Sequence, residues 1–187
     1  MTDETRVEVR SVDELEGWLA VAPEEGPVWL VTWKSHHPDH VSFGDLVESL
    51  IAFGWIDSRT RRLDDDRSEL RVTPRRPGSM WSRVNKEKVA KLQREGRMTD
   101  RGQAVVDRAK ADGSWAILDD IDALEEPPDL VTALADTPAA KESWDTWPPS
   151  LKKQALSSQK SAKRDETRQR RLAVIVEAAE EGRRPFA

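Results

Sequence analysis

The sequence predicts an α+β protein: a small, mostly antiparallel sheet of about three strands with helices, followed by an all-helical C-terminal half. Three observations carry this. PVWLVTWK (27–34) is β-branched and aromatic between a Gly-Pro turn and the polar SHHPDH, as a buried strand is. WIDSRTRRL and ELRVTPR flank DDDRS, whose acids and serine suit a hairpin turn. From Ser82 onward the apolar residues fall at helical spacing between glycine and proline stops. Residues 1–125 are expected to form the α+β domain and 126–187 a helical extension packed on it.

Each element has a local cause. Ser11 with Glu14 three residues on is a capping box, and Leu15, Trp18 and Leu19 give a helix that ends before Pro23. After the strand at 27–34, Ser42 caps a helix with Asp45 in the third position. Leu46, Val47, Leu50 and Ile51 face inward, and Gly54 closes it. The first hairpin arm alternates Ile56, Ser58 and Thr60 against Asp57, Arg59 and Arg61. The second ends at Pro74, which cannot donate to a central ladder. Val84, Val89 and Leu92 form a helix up to Gly96; Thr99 caps its antiparallel neighbour, with Val105, Val106 and Ala109 up to Gly113. WAILDDIDALEEPPD (115–129) is an acidic connector broken by two prolines. Helices follow at Thr137-Pro138, at Pro148-Pro149-Ser150 and from Asp165-Glu166, the last with Leu172, Ile175, Val176 and Ala179 on one face up to Gly182.

Composition bounds the chemistry. At 187 residues the chain can bury a real core. The absence of cysteine excludes disulfides, thiolate nucleophiles and cysteine-held zinc or iron–sulfur centres. The acidic start MTDETRVEVRS is unlike a signal peptide and no stretch approaches the ~20 apolar residues of a membrane span, so a cytoplasmic protein without a membrane span is expected. The net charge of −5 hides alternating blocks: residues 1–25 carry −6 and 112–150 carry −9, against +4 for 57–88 and +6 for 151–171. These blocks neutralise one another within a fold, and a pI of 5.4 speaks against a dedicated nucleic-acid binder, whose pI is roughly above 9.

No P-loop, G-x-G-x-x-G, G-x-S-x-G or H-E-x-x-H occurs, and no cofactor is called for. The three histidines all lie in HHPDH (36–40), where a proline-bearing loop is a poor metal cage; no metal site is expected. Asp57, directly after Trp55-Ile56, is the one candidate catalytic carboxylate, with Arg59 or Arg71 as its partner if it is structural. The densest candidate is TPRRPGSMWSRVNK (73–86). Pro74 and Pro77 stiffen it, Gly78 and Ser79 allow a turn, and Ser82 or Asn85 caps the next helix. Trp55, Arg71, Arg75, Arg76, Ser79, Trp81 and Asn85 are the candidate ligand-binding residues, suited to a phosphate, a carboxylate or a stacked base. The alternative is that Trp81 fills the core and the arginines pair with DDDRSE.

FGWIDS (53–58), RVTPRRPGSMWSRVNKEKV (71–89), LQREGRMTDRG (92–102), AKADGSW (109–115), PPSLKK (148–153) and AKRDETRQRR (162–171) together resemble the YdeI/OmpD-associated family, the bacteriocin-protection or OmdA-like proteins, from about residue 27 to the C-terminus. The resemblance implies a role in resistance to cationic antimicrobial peptides and an association with an outer-membrane porin, with no reaction, cofactor or catalytic residue attached. Some members are described as periplasmic, unlike a chain with this start. The aromatic-rich stretch usual after the PPS turn reads QALSSQKSA (154–162) here.

Three functions follow. The first is a stress-response or bacteriocin-protection protein that binds an anionic small molecule or protein partner through the arginine and tryptophan turn. The second is a hydrolase or transferase using Asp57 with Arg71 or Arg75; the third is a nucleic-acid-associated protein. Oligomeric state is not encoded in any feature above.

Overall fold

The computed structural model describes residues 5–22 and 26–186. The Pro23 stop read in the sequence lies outside the described residues. Contacts divide the chain into two units, Met1–Ile117 and Leu118–Ala187.

The first unit runs β1 (Arg6–Val9), α1 (Val12–Val21), β2 (Val28–Trp33), α2 (Phe43–Ala52), β3 (Trp55–Arg62), β4 (Arg67–Pro74), α3 (Arg83–Arg94) and α4 (Asp100–Ala111). The sheet has four strands in the order β1-β2-β4-β3, one more than the sequence predicts. β2, β4 and β3 pair antiparallel as expected, while β1 pairs parallel with β2 in the register Val7↔Leu30 and Val9↔Thr32. Four residues of RVEV are too short for alternation to stand out in the sequence. Burial of Val9, only 1% exposed, holds the strand in place.

Serine and threonine caps start the helices as read. Ser11 accepts from the Glu14 amide, Ser42 from Asp45, Ser82 from Asn85 and Thr99 from Gly102. α2 is sandwiched. Leu46 and Leu50 join Leu15, Leu19, Leu30, Leu70, Val72 and Trp55 against the sheet. Val47, Ile51 and Ala52 join Trp81, Val89, Leu92 and Val106 against α3 and α4. With both flanks covered, even Glu48 is buried. Three cations meet it: Lys88 Nζ at 3.0 Å, Lys91 Nζ at 2.8 Å and Arg97 Nη1 at 3.3 Å. Burial pushes the Glu48 pKa up, but the hydrogen bonds from Lys91 and Lys88 prevail and hold it below the usual carboxylate range.

α4 approaches α2 through Gly102. A Cβ built there would lie 2.1 Å from the Ala52 carbonyl oxygen, which also accepts the Thr99 hydroxyl at 2.6 Å. Gly54, at φ +77°, then turns the chain from α2 into β3, and its carbonyl accepts the Arg75 amide at 2.9 Å. The exit of β4 is thereby tied to the end of α2.

The second unit runs α5 (Asp119–Asp122), α6 (Pro128–Ala135), α7 (Pro138–Thr146), α8 (Pro149–Lys160) and α9 (Asp165–Glu180) around Leu130, Leu134, Trp144, Leu156, Leu172 and Ile175. The sequence treats 115–129 as a connector, yet α5 and the start of α6 lie in it. Pro128 is a helix start, since a first-turn proline gives up no helical hydrogen bond. Among the described residues no helix is long and apolar enough to cross a membrane.

Candidate functional site

The arginines of residues 59–76 have two destinations. On one sheet face, opposite α1 and α2, they roof tryptophans: Arg61 lies 3.7 Å and Arg59 5.5 Å from the Trp29 ring centre, and Arg67 lies 5.6 Å from that of Trp33. Glu69, nearly inaccessible, is bonded by Arg6 at 2.6 Å and by Arg61. Burial opposes its charge, yet hydrogen bonds from Arg61 and Arg6 keep its pKa below the usual range. At the turn Arg67 pairs with Asp64 and Arg62 with Asp65. Arg61, Arg62 and Arg67 therefore find their acids in DDDRSE, whereas the turn arginines Arg75 and Arg76 form no ion pair with it among the described residues. Arg71 shares this ladder, and its guanidinium reaches the Ser58 hydroxyl at 3.5 Å.

The second destination is a cleft of about 800 Å³ between the exit of β4 and the face of α4. Gly54, Thr73, Arg75, Arg76, Arg101, Val105 and Arg108 are among its lining residues. Arg101 donates to the Leu19 carbonyl at 3.4 Å, and Arg108 donates to the Arg75 carbonyl at 3.1 Å. Arg76 is exposed, and neither it nor Arg108 forms an ion pair among the described residues. Asp100 is the acid on the cleft wall among the described residues.

Arg75 is the unusual member. Its side chain is buried, the residue only 4% exposed, with the guanidinium 3.7 Å from the Trp81 ring centre. Nη1 donates to the Met80 carbonyl at 3.3 Å and the Ser79 hydroxyl at 3.4 Å, while Nε and Nη2 have no partner among the described residues. Burial pushes its pKa down to about 10, against a smaller pull upward from the Asp57 charge. A guanidinium so placed is ionised at neutral pH and short of acceptors. The Trp55 indole Nε1 is a third buried donor nitrogen without a partner among the described residues.

The other candidate residues fall elsewhere. Trp55 and Trp81 are core residues, 0% and 1% exposed, packed on Trp18 and Trp115 respectively. Ser79 holds Arg75, and Asn85 sits in the first turn of α3 with its amide on the Ser82 cap. Asp57 is half-buried beside the irregularity in β3, forms no ion pair with Arg59 or Arg71 among the described residues, and is not on the cleft wall. The histidines diverge: His36 meets Asp66, His37 stacks on Trp33, and His40 meets the Trp33 carbonyl. Arg101 and Arg108 go unremarked in a purely local reading. Their signal is periodicity, since residues 101, 104, 105 and 108 share one face of α4 with arginines at both ends.

Comparison with known proteins divides the chain much as its contacts do. Residues 7–105 match a domain of unknown function, DUF8412, and residues 123–182 match the family described as "Bacteriocin-protection, YdeI or OmpD-Associated". The second match is shorter than the resemblance read from residue 27, and the motifs at 53–58 and 71–89 fall within the first. No curated protein and no solved structure shows a significant match. The chain therefore belongs, by its larger part, to the DUF8412 family, and it carries a YdeI/OmpD-associated, bacteriocin-protection domain in its helical unit.

Proposed function

We propose that the first unit binds an anionic ligand in the cleft of Arg75, Arg76, Arg101 and Arg108, and that this binding is its part in a bacteriocin-protection-like function of otherwise unknown biochemistry. One observation carries the reading: Arg75 keeps two donor nitrogens and a full charge buried without an acid to receive them among the described residues. Buried polar groups are ordinarily hydrogen-bonded, and a guanidinium suits a carboxylate or phosphate geometrically. Exposed Arg76 and Arg108 stand at the same cleft, placed to meet the anion first. Asp57 is not on the cleft wall, which supports a binding site there over hydrolysis or transfer centred on that carboxylate.

Calorimetric titration with inorganic phosphate and pyrophosphate at low salt tests the reading. Saturable binding is expected, weakened at least about tenfold by Arg76→Ala or Arg108→Ala, the worth of one charge-assisted hydrogen bond. Arg62→Ala, which removes an arginine paired to Asp65, serves as the control. Absence of binding, or equal weakening by all three substitutions, overturns it.

A further inference from the structure

The helical unit has its own recess, of about 410 Å³, and its chemistry is opposite to that of the arginine cleft. Its apolar wall comes from Ile121, Pro127, Pro128 and Leu156. Gln159 on α8 also lines it and is 1% exposed. The Gln159 amide is oriented by its Nε2, which donates to Asp129 Oδ2 at 3.0 Å, and this leaves Oε1 buried without a donor among the described residues. Asp129 is in turn clamped by Arg168 through two bonds, of 2.7 and 2.9 Å. Both cations on the wall are thus taken: Arg168 by Asp129, and Lys160 by Asp120 at 2.6 Å. The remaining carboxylates are not matched in this way. Glu126 accepts the Trp144 indole N–H at 2.6 Å, and the Glu125 carboxylate has no ion pair or hydrogen bond among the described residues.

The recess therefore offers an orphan buried acceptor, two carboxylates short of cations and an apolar floor. We infer that it is a binding site for an organic ammonium, whose N–H donors meet Gln159 Oε1 and the Glu125 and Glu126 carboxylates while its carbon chain lies on Ile121, Pro128 and Leu156. The acceptor sets the class: a quaternary cation satisfies the carboxylates but not the amide oxygen, and an alcohol supplies no charge. The recess and the arginine cleft share no residue, so either site can fail alone.

The test is a titration of the ¹⁵N-labelled full chain, followed by its amide NMR signals, with hexylammonium, hexanol and hexyltrimethylammonium. Hexylammonium is expected to shift the Gln159 side-chain and Leu156 backbone signals saturably, and to bind at least about tenfold more tightly than either of the other two, as a charge-assisted hydrogen bond requires. Gln159→Met, which leaves the Asp129–Arg168 clamp in place, and Glu125→Gln, on an exposed residue, are each expected to weaken it. If the buried substitution does not fold, the exposed one still decides. Nα-acetyl-lysine amide carries the same ammonium on a peptide unit, and its affinity relative to hexylammonium assigns the site to a basic side chain or to a free amine. Equal binding of hexanol would reduce the recess to an apolar hole, equal binding of the quaternary ion would remove the role of Gln159, and no shift with hexylammonium would leave Oε1 to water alone; each overturns the inference.

Discussion

Arg75 and Trp81 are stacked inside the first unit with 3.7 Å between the guanidinium carbon and the ring centre, and both are nearly inaccessible to solvent. The two residues that in the sequence suggest a surface grip instead form a buried pair. The indole fills the core, and the guanidinium is the half proposed to meet an anion.

The first prediction separates those halves. Arg75 has a folded pKa below its unfolded value, so its charge opposes folding at neutral pH and that penalty fades only as the pH rises above about 10. Arg75→Met keeps an apolar stem on Trp81 and removes the unmet donors; stability measured by urea denaturation should hold or rise, by up to about 3 kcal/mol. Trp81→Ala opens the core between α2 and α4 and should cost about 3–5 kcal/mol. Asp57→Asn should cost stability in the native background and little in the Arg75→Met background, because its charge acts through Arg75.

A second prediction concerns acid. Glu48 has a folded pKa below its usual value, so its contribution is present above that usual value and lost as pH falls through the folded one. Glu48→Gln should destabilise the unit at pH 7 by about 3 kcal/mol, since it strands Lys88 and Lys91. Denaturation midpoints compared at pH 7 and pH 3 should converge for the two proteins, whereas a constant gap would place the acid sensitivity elsewhere.

The glycines give a third. Gly102→Ala puts a methyl group onto the Ala52 carbonyl, which is backbone and cannot step aside, and should cost at least about 2 kcal/mol. Gly17→Ala, in the middle of α1 with nothing within 4 Å of the added carbon, should stabilise by about 0.5–1 kcal/mol. Thermal melts of the two variants should move in opposite directions.

Much of this was legible in the residues. The caps at Ser11, Ser42, Ser82 and Thr99 and the hairpin around DDDRS follow from local chemistry, because each is settled within a few residues. β1 was not, since four residues gain their stability from a parallel partner more than twenty positions away. Pro127-Pro128 read as a break because proline ends one element and begins another with equal ease. The cleft was half visible. Arg75 and Arg76 are adjacent in an arginine-rich turn, but the opposite wall comes from Arg101 and Arg108, and only the tertiary approach of α4 through Gly102 places it there.

The most direct measurement is the Nε–H NMR signal of Arg75, followed as pyrophosphate is added to the full chain. The account predicts a slowly exchanging signal that shifts saturably, with the same midpoint as calorimetric binding, and no such shift in the Arg76→Ala, Arg108→Ala double variant. An Arg75 signal that stays fixed while the anion binds would contradict it.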